Sequence, residues 1–83
     1  MRKPTVLLVE DDPQVRGLLT TLLGSDGLGV EPEETGEAAL ARLEREPPVD
    51  LVLLDVGLPG IGGFEVCRRI KARSATRLIP VIL

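Results

Sequence analysis

The chain has 83 residues, with 10 Lys and Arg against 13 Asp and Glu and a formal net charge of −3. That length admits one small domain whose single core is only marginally stabilising, and 43% apolar with 28% charged residues is a globular rather than a disordered composition. One cysteine and no histidine exclude an internal disulfide, an ordinary zinc site and any Ser-His-Asp or Cys-His arrangement.

No stretch approaches the roughly 18–20 consecutive apolar residues that span a bilayer. The apolar run behind the N-terminal basic residues stops after four positions at Glu10, short of a signal-peptide core. Mild acidity disfavours direct nucleic-acid binding by this segment. The expectation is a soluble, cytoplasmic protein with no membrane contact.

In chain order, Thr5 to Val9 is a continuous apolar run between Pro4 and three acids, the pattern of a strand buried on both faces. Asp12-Pro13 starts a helix, because Asp accepts a bond from an orphan N–H and Pro at the first position has none to orphan. Val15, Leu18, Leu19, Leu22 and Leu23 form its apolar stripe, and Gly24 is the expected stop. Leu28 to Glu33 alternates, and Pro32 confines it to a sheet edge.

Thr35 caps a second helix running to about Glu46, with Ala39, Leu40 and Leu43 inward and Pro47-Pro48 as the stop. Val49 to Leu54 reads as another strand buried on both faces, ending at Asp55. The glycine-rich GLPGIGG loop is a shaped turn. A third helix is predicted from Phe64 to about Arg73 with Phe64, Cys67 and Ile70 inward. Ile79 to Leu83 is a last apolar strand. Strands alternating with helices imply an α/β fold with a parallel sheet.

Ligands of open parallel sheets bind beyond the carboxyl ends of the strands. If the first and third strands are neighbours, Glu10, Asp11 and Asp55 meet at one rim. Clustered carboxylates raise one another's pKa unless a cation neutralises them, and hard oxygen ligands without His or Cys favour Mg²⁺. A carboxylate beside Mg²⁺ can also be a nucleophile toward a phosphoryl group. A lone Asp after a strand is more often a cap or turn residue, and Asp12 is read that way. Arg68, Arg69, Lys71, Arg73 and Arg77 read as a solvated charged face, and Cys67 as an inert thiol on the apolar stripe.

The segments VLLVEDDPQVRGLL, TGEAALARL, DLVLLDVGLPGIGGFEVCRRIK and IPVIL, in that order and spacing, resemble a response-regulator receiver domain of two-component signal transduction. Leu58, Pro59 and Gly63 fall in register with the D-x-x-[ML]-P-x-x-x-G pattern after Asp55. The resemblance covers essentially all of residues 1–83 as one partial domain. It implies a flavodoxin-like doubly wound sheet of strand order 2-1-3-4.

By the same resemblance Asp55 is the phosphoacceptor for a sensor histidine kinase or phosphotransfer protein. Asp11 and Asp55 would ligate Mg²⁺ together with the Gly57 backbone carbonyl, and Glu10 would hold a metal-bound water. Pro59 and Gly63 are structural: Pro59 fixes one φ in the loop, and Gly63 is expected to adopt a conformation other residues avoid. Gly62 stands where the family more often has a small polar residue, so a helix cap is lost.

The resemblance also implies a chain truncated after the fourth strand. The family's switch Ser or Thr, its phosphate-pairing Lys, the fifth strand and the last two helices have no counterpart in this sequence. An uncovered apolar patch and an open edge at Ile79 to Leu83 are therefore expected, with self-association through that edge. The alternative is a pseudo-receiver or truncated fragment acting only in protein–protein assembly. A phosphatase with an Asp nucleophile fits poorly, because Glu10-Asp11-Asp12-Pro13 lacks a D-x-D pair.

Overall fold

A computed structural model describes residues 3–83; Met1 and Arg2, at the start of the basic N-terminus, lie outside the described residues. The element order is β1 (Thr5–Val9), α1 (Pro13–Ser25), β2 (Gly29–Glu33), α2 (Gly36–Leu43), β3 (Leu51–Leu54), α3 (Gly63–Ala72) and β4 (Val81–Ile82). The four strands pair in parallel in the order β2-β1-β3-β4. Pro32 sits on edge strand β2, opposite Leu8, where a missing N–H costs least.

β1 is central, and Val6 to Val9 are all buried. Leu7 and Val9 join Val52 and Leu54 of β3, Ala39 of α2, and Val66 and Ile70 of α3 in one cluster. Fully burying a Val or Leu side chain contributes roughly 1.5–3 kcal/mol, so β1 is the main support of the core. The largest difference from expectation is in α3. Its buried residues are Gly63, Val66 and Ile70, whereas Phe64 is 69% exposed and Cys67 half-buried. Gly63, Val66 and Ile70 share the face turned to the sheet, and Phe64, next to Gly63, lies about 100° round the helix from it.

β3 is buried on one face only: Val52 and Leu54 are buried, Leu51 and Leu53 half-buried. α1 packs on β1 and β2 and leaves β3 partly uncovered. None of the residues of α1 is buried; Leu19 and Leu23 are half-buried while Val15, Leu18 and Leu22 are exposed. With Ile82 and Leu83 also exposed, the apolar patch expected from the sequence is present. β4 is shorter than predicted, because residues 73–79 form turns, although Ile79 still packs on the core.

Two helix ends also differ. α1 runs through Gly24 to Ser25 with Asp26 as its C-cap, and the glycine that closes it is Gly27, at φ +85°. The Gly27 N–H donates to the Gly24 carbonyl and the Leu28 N–H to the Leu23 carbonyl, a Schellman closure that needs the left-handed conformation. α2 ends at Leu43, not Glu46. Its last turn tightens as the Glu44 and Arg45 N–H groups donate to Ala41 and Arg42. The buried Arg42 guanidinium then draws the Arg45 and Pro47 carbonyls inward.

The basic run is the exposed, solvated face expected, and most of its cations also have partners. Glu65 accepts from Arg68 and Arg69, Arg73 pairs with Glu44, and the Lys71 ammonium donates to the Arg77 and Ile79 carbonyls. The Arg68 and Arg69 hydrogen bonds lower the Glu65 carboxyl to about 2. A depressed carboxylate stabilises the fold above its ordinary value and loses that contribution as pH falls through its folded value. The pairs are water-exposed, so the energetic effect is small. The direct check is an NMR titration of Glu65: a midpoint near 2, rising toward about 4.3 in an Arg68→Gln/Arg69→Gln variant.

Candidate functional site: an acidic rim at two strand ends

The register Val9↔Leu54 brings the ends of β1 and β3 level. The residues just beyond them therefore face each other, and the Asp55 N–H donates to the Val9 carbonyl at 3.0 Å. Carboxylate oxygens of Glu10, Asp11 and Asp55 lie within 4.8 Å of one another. Glu10 and Asp55 are half-buried and Asp11 is exposed.

The acidic turn is held at several points. The Glu10 N–H donates to the Glu33 carbonyl at 3.0 Å, and the Glu10 carboxylate accepts from the Asp12 N–H at 3.1 Å. Asp12 is the α1 N-cap, accepting from the Gln14 and Val15 N–H groups at 2.8 and 3.3 Å, and stands apart from the cluster. Burial raises the Glu10 carboxyl above its ordinary value, and the neighbouring Asp55 and Asp11 charges push the same way against the Asp12 N–H. Carboxyl groups that repel one another within 4.8 Å form a donor set suited to a hard divalent cation.

Asp55 is oriented by the loop that follows it. The Gly57 N–H donates to Asp55 Oδ1 at 3.0 Å, so Gly57 approaches the carboxylate through its amide. Leu58 is buried in the core and anchors the loop, while Pro59 is exposed. Gly63 has an ordinary negative φ, contrary to expectation; the left-handed glycine of this loop is Gly60, at φ +71°. What Gly63 requires is space, since a Cβ there would collide with the Asp55 carbonyl oxygen and lie 2.6 Å from Val56 Cα. Gly62 is the N-cap of α3 and makes no side-chain cap bond.

A cleft of about 230 Å³ runs from Glu10 and Asp55 down the α1 face, between Leu8, Leu19 and Leu53. A larger one of about 590 Å³ lies between α2 and α3, away from the acids and lined by residues that include Glu44 and Arg73, already paired with each other. Sequence reasoning left out two arginines that tie segments of the fold together, the first of them at the site. Arg16 bonds the carbonyls of the acidic turn, and Arg42 ties α2 to β2. The signal for Arg16 was a cation in the first helical turn, where the dipole favours acids.

The family model described as "Response regulator receiver domain" matches residues 6–83. Over 80 residues the chain is 46% identical to the transcriptional regulatory protein AfsQ1 of Streptomyces coelicolor, an alignment covering 96% of this chain and 34% of that protein. Among solved structures, the N-terminal domain of a response regulator receiver protein from Methanoculleus marisnigri superposes with a TM-score of 0.87 at 40% identity. That alignment covers 93% of this chain and 62% of the other. The response regulator TrrA of Thermotoga maritima, solved in complex with Mg²⁺–BeF, gives a TM-score of 0.81 at 37% identity over 86% of this chain and 61% of that one. The chain thus spans about a third of the length of the curated relatives it matches.

Proposed function

The chain belongs to the response-regulator receiver family, and from that premise we propose that Asp55 accepts a phosphoryl group from a phosphohistidine on a sensor histidine kinase or phosphotransfer protein. An Asp55 carboxylate oxygen forms the new bond to phosphorus as the donor's P–N bond breaks, and the imidazole leaves with the electron pair. Receiver domains are signalling modules rather than turnover enzymes, and the module's home in this reading is the cytoplasm, where it binds neither membrane nor nucleic acid.

The observation that carries this reading is the convergence of three carboxylates at the ends of adjacent strands. Asp11, Asp55 and the Gly57 carbonyl would hold Mg²⁺, with Glu10 holding a bound water. The all-oxygen donor set fits that ion, and the Thermotoga relative carries Mg²⁺ on the same fold. Bound Mg²⁺ would neutralise charge on the phosphoryl oxygens, which matters because phosphoryl transfer depends mainly on positioning and electrostatics. The chain's own part is to hold Asp55 through the Gly57 N–H and to fix the acidic turn opposite it.

Intact-protein mass spectrometry after incubation with Mg²⁺ and a small-molecule phosphodonor tests the proposal. One Mg²⁺-dependent adduct is expected for the wild type and none for Asp55→Asn, with the fold of the variant unchanged by circular dichroism. An adduct that persists in Asp55→Asn refutes the assignment. No adduct and no Mg²⁺-dependent rise in thermal midpoint would leave a pseudo-receiver working only in assembly.

A further inference from the structure

Arg16 occupies the first turn of α1, where its charge opposes the helix dipole. Its position is explained by what it touches. Side chains at a helix start lean toward the N-terminus, and the Arg16 guanidinium reaches back over the cap. Its Nη1 donates to the Glu10 carbonyl at 2.9 Å and, at a longer 3.4 Å, to the Asp11 carbonyl. On its other side Nη1 lies 3.8 Å from Glu34 Oε2, in the loop between β2 and α2, and the side chain is 23% exposed. One guanidinium thus bonds the backbone of both acids contributed by the end of β1.

We infer that Arg16 is a positioning residue for the acidic site: it fixes the backbone of the Glu10–Asp11 turn, so that both carboxylates face Asp55 before a cation arrives. The inference rests on the phosphoacceptor reading, because it concerns the same Mg²⁺ site. The Glu10 N–H is pinned to Glu33 and the Glu10 carbonyl to Arg16, so the peptide groups on both sides of the residue are tethered. Removing the guanidinium frees the Glu10 and Asp11 carbonyls and leaves the turn held by the Glu10 N–H bond to Glu33 and by the cap at Asp12. Groups that orient metal ligands from behind typically change affinity by 10- to 100-fold when removed.

The sign of the effect separates this role from simple electrostatics. As a mere neighbouring cation, Arg16 would repel Mg²⁺, and Arg16→Gln would bind the ion more tightly. As a positioning group, its loss weakens binding. Mg²⁺ alone is titrated into wild type, Arg16→Gln and Arg16→Lys by calorimetry, with the amide NMR signals of Glu10 and Asp11 followed in parallel. The expected result is a roughly tenfold loss of affinity in Arg16→Gln and a partial recovery in Arg16→Lys, which keeps one donor.

The Glu10 and Asp11 amides should also shift in the cation-free variants. Equal or tighter binding by Arg16→Gln overturns the inference while leaving the phosphoacceptor reading in place. A wild-type chain that binds no Mg²⁺ overturns both. Arg16→Lys keeps the test decisive if the Gln variant does not fold, since undiminished affinity in it would also count against positioning.

Discussion

Replacing Arg42 with methionine is expected to lower the stability of the fold by about 2 kcal/mol, in the range for losing hydrogen bonds from a charged group, because Glu31 is 39% exposed and water screens its half of the pair. Arg42 is 3% exposed. Its Nη2 donates to Glu31 Oε2 at 2.9 Å and to the Pro47 carbonyl at 2.7 Å, its Nη1 donates to the Arg45 carbonyl at 3.2 Å, and its Nε also pairs with Glu31. Methionine keeps the apolar stem but leaves Glu31 and two carbonyls without their donor, and single domains of this size have only a few kcal/mol to lose. Urea unfolding followed by circular dichroism measures the effect, and Arg45→Met, at an exposed position, should change stability by less than about 0.5 kcal/mol.

The same pair gives the variant a pH signature. The hydrogen bond from Arg42 holds the Glu31 carboxyl below its ordinary value of 4.5. Its stabilisation is therefore complete above that value and is lost as pH falls toward the depressed one. The stability difference between wild type and Arg42→Met should be constant near neutrality and shrink below about pH 4.5. A difference that stays constant into acid would show that the guanidinium acts through its carbonyl contacts alone.

Gly63→Ala is the second large effect. The added methyl would meet the Asp55 carbonyl oxygen and Val56 Cα, both backbone atoms, so the start of α3 and the end of β3 must separate. Overpacking of this kind costs typically 1–3 kcal/mol. It also displaces Asp55, and small misplacements of a reacting group can cost about 10²-fold in rate. At least a tenfold drop in the phosphorylation rate is expected, measured by the mass assay at a temperature where the variant is folded. Gly62→Ala is the matched control: its Cβ would lie 3.7 Å from the Val56 carbonyl, in ordinary contact, and should leave the rate unchanged. Loss of stability in Gly63→Ala without loss of rate would separate Gly63 from the placement of Asp55.

The order of elements and the acids at the two strand ends were legible in the sequence because each rests on local signals, whereas the strand order 2-1-3-4 came with the family resemblance. Apolar runs ending in carboxylates marked β1 and β3, the Asp12-Pro13 pair marked the start of α1, and Pro32 marked an edge. What was not legible depended on distance in the chain. Phe64 looked inward by hydrophobicity, yet the facing of α3 is set by contact between Gly63 and the Asp55–Val56 backbone. A glycine's need for room is silent in a periodicity pattern. Arg42 was similarly hidden: its burial follows from carbonyls at Arg45 and Pro47 and from an acid eleven positions earlier, and no helical spacing announces such partners.

The level pairing of Val9 with Leu54 constrains how a lineage carrying this module can vary in length. A residue inserted within β3 ahead of Asp55 would advance that carboxylate by about 3.3 Å and turn it to the opposite face of the sheet. Glu10 and Asp11 would then face a backbone amide. An insertion between α1 and β2, or between α2 and β3 before Leu51, leaves both strand ends where they are. Gaps among descendants of this chain should therefore collect in those two connections and be absent from residues 51–55, a pattern that a library of single-residue insertions selected for phosphorylation would reproduce.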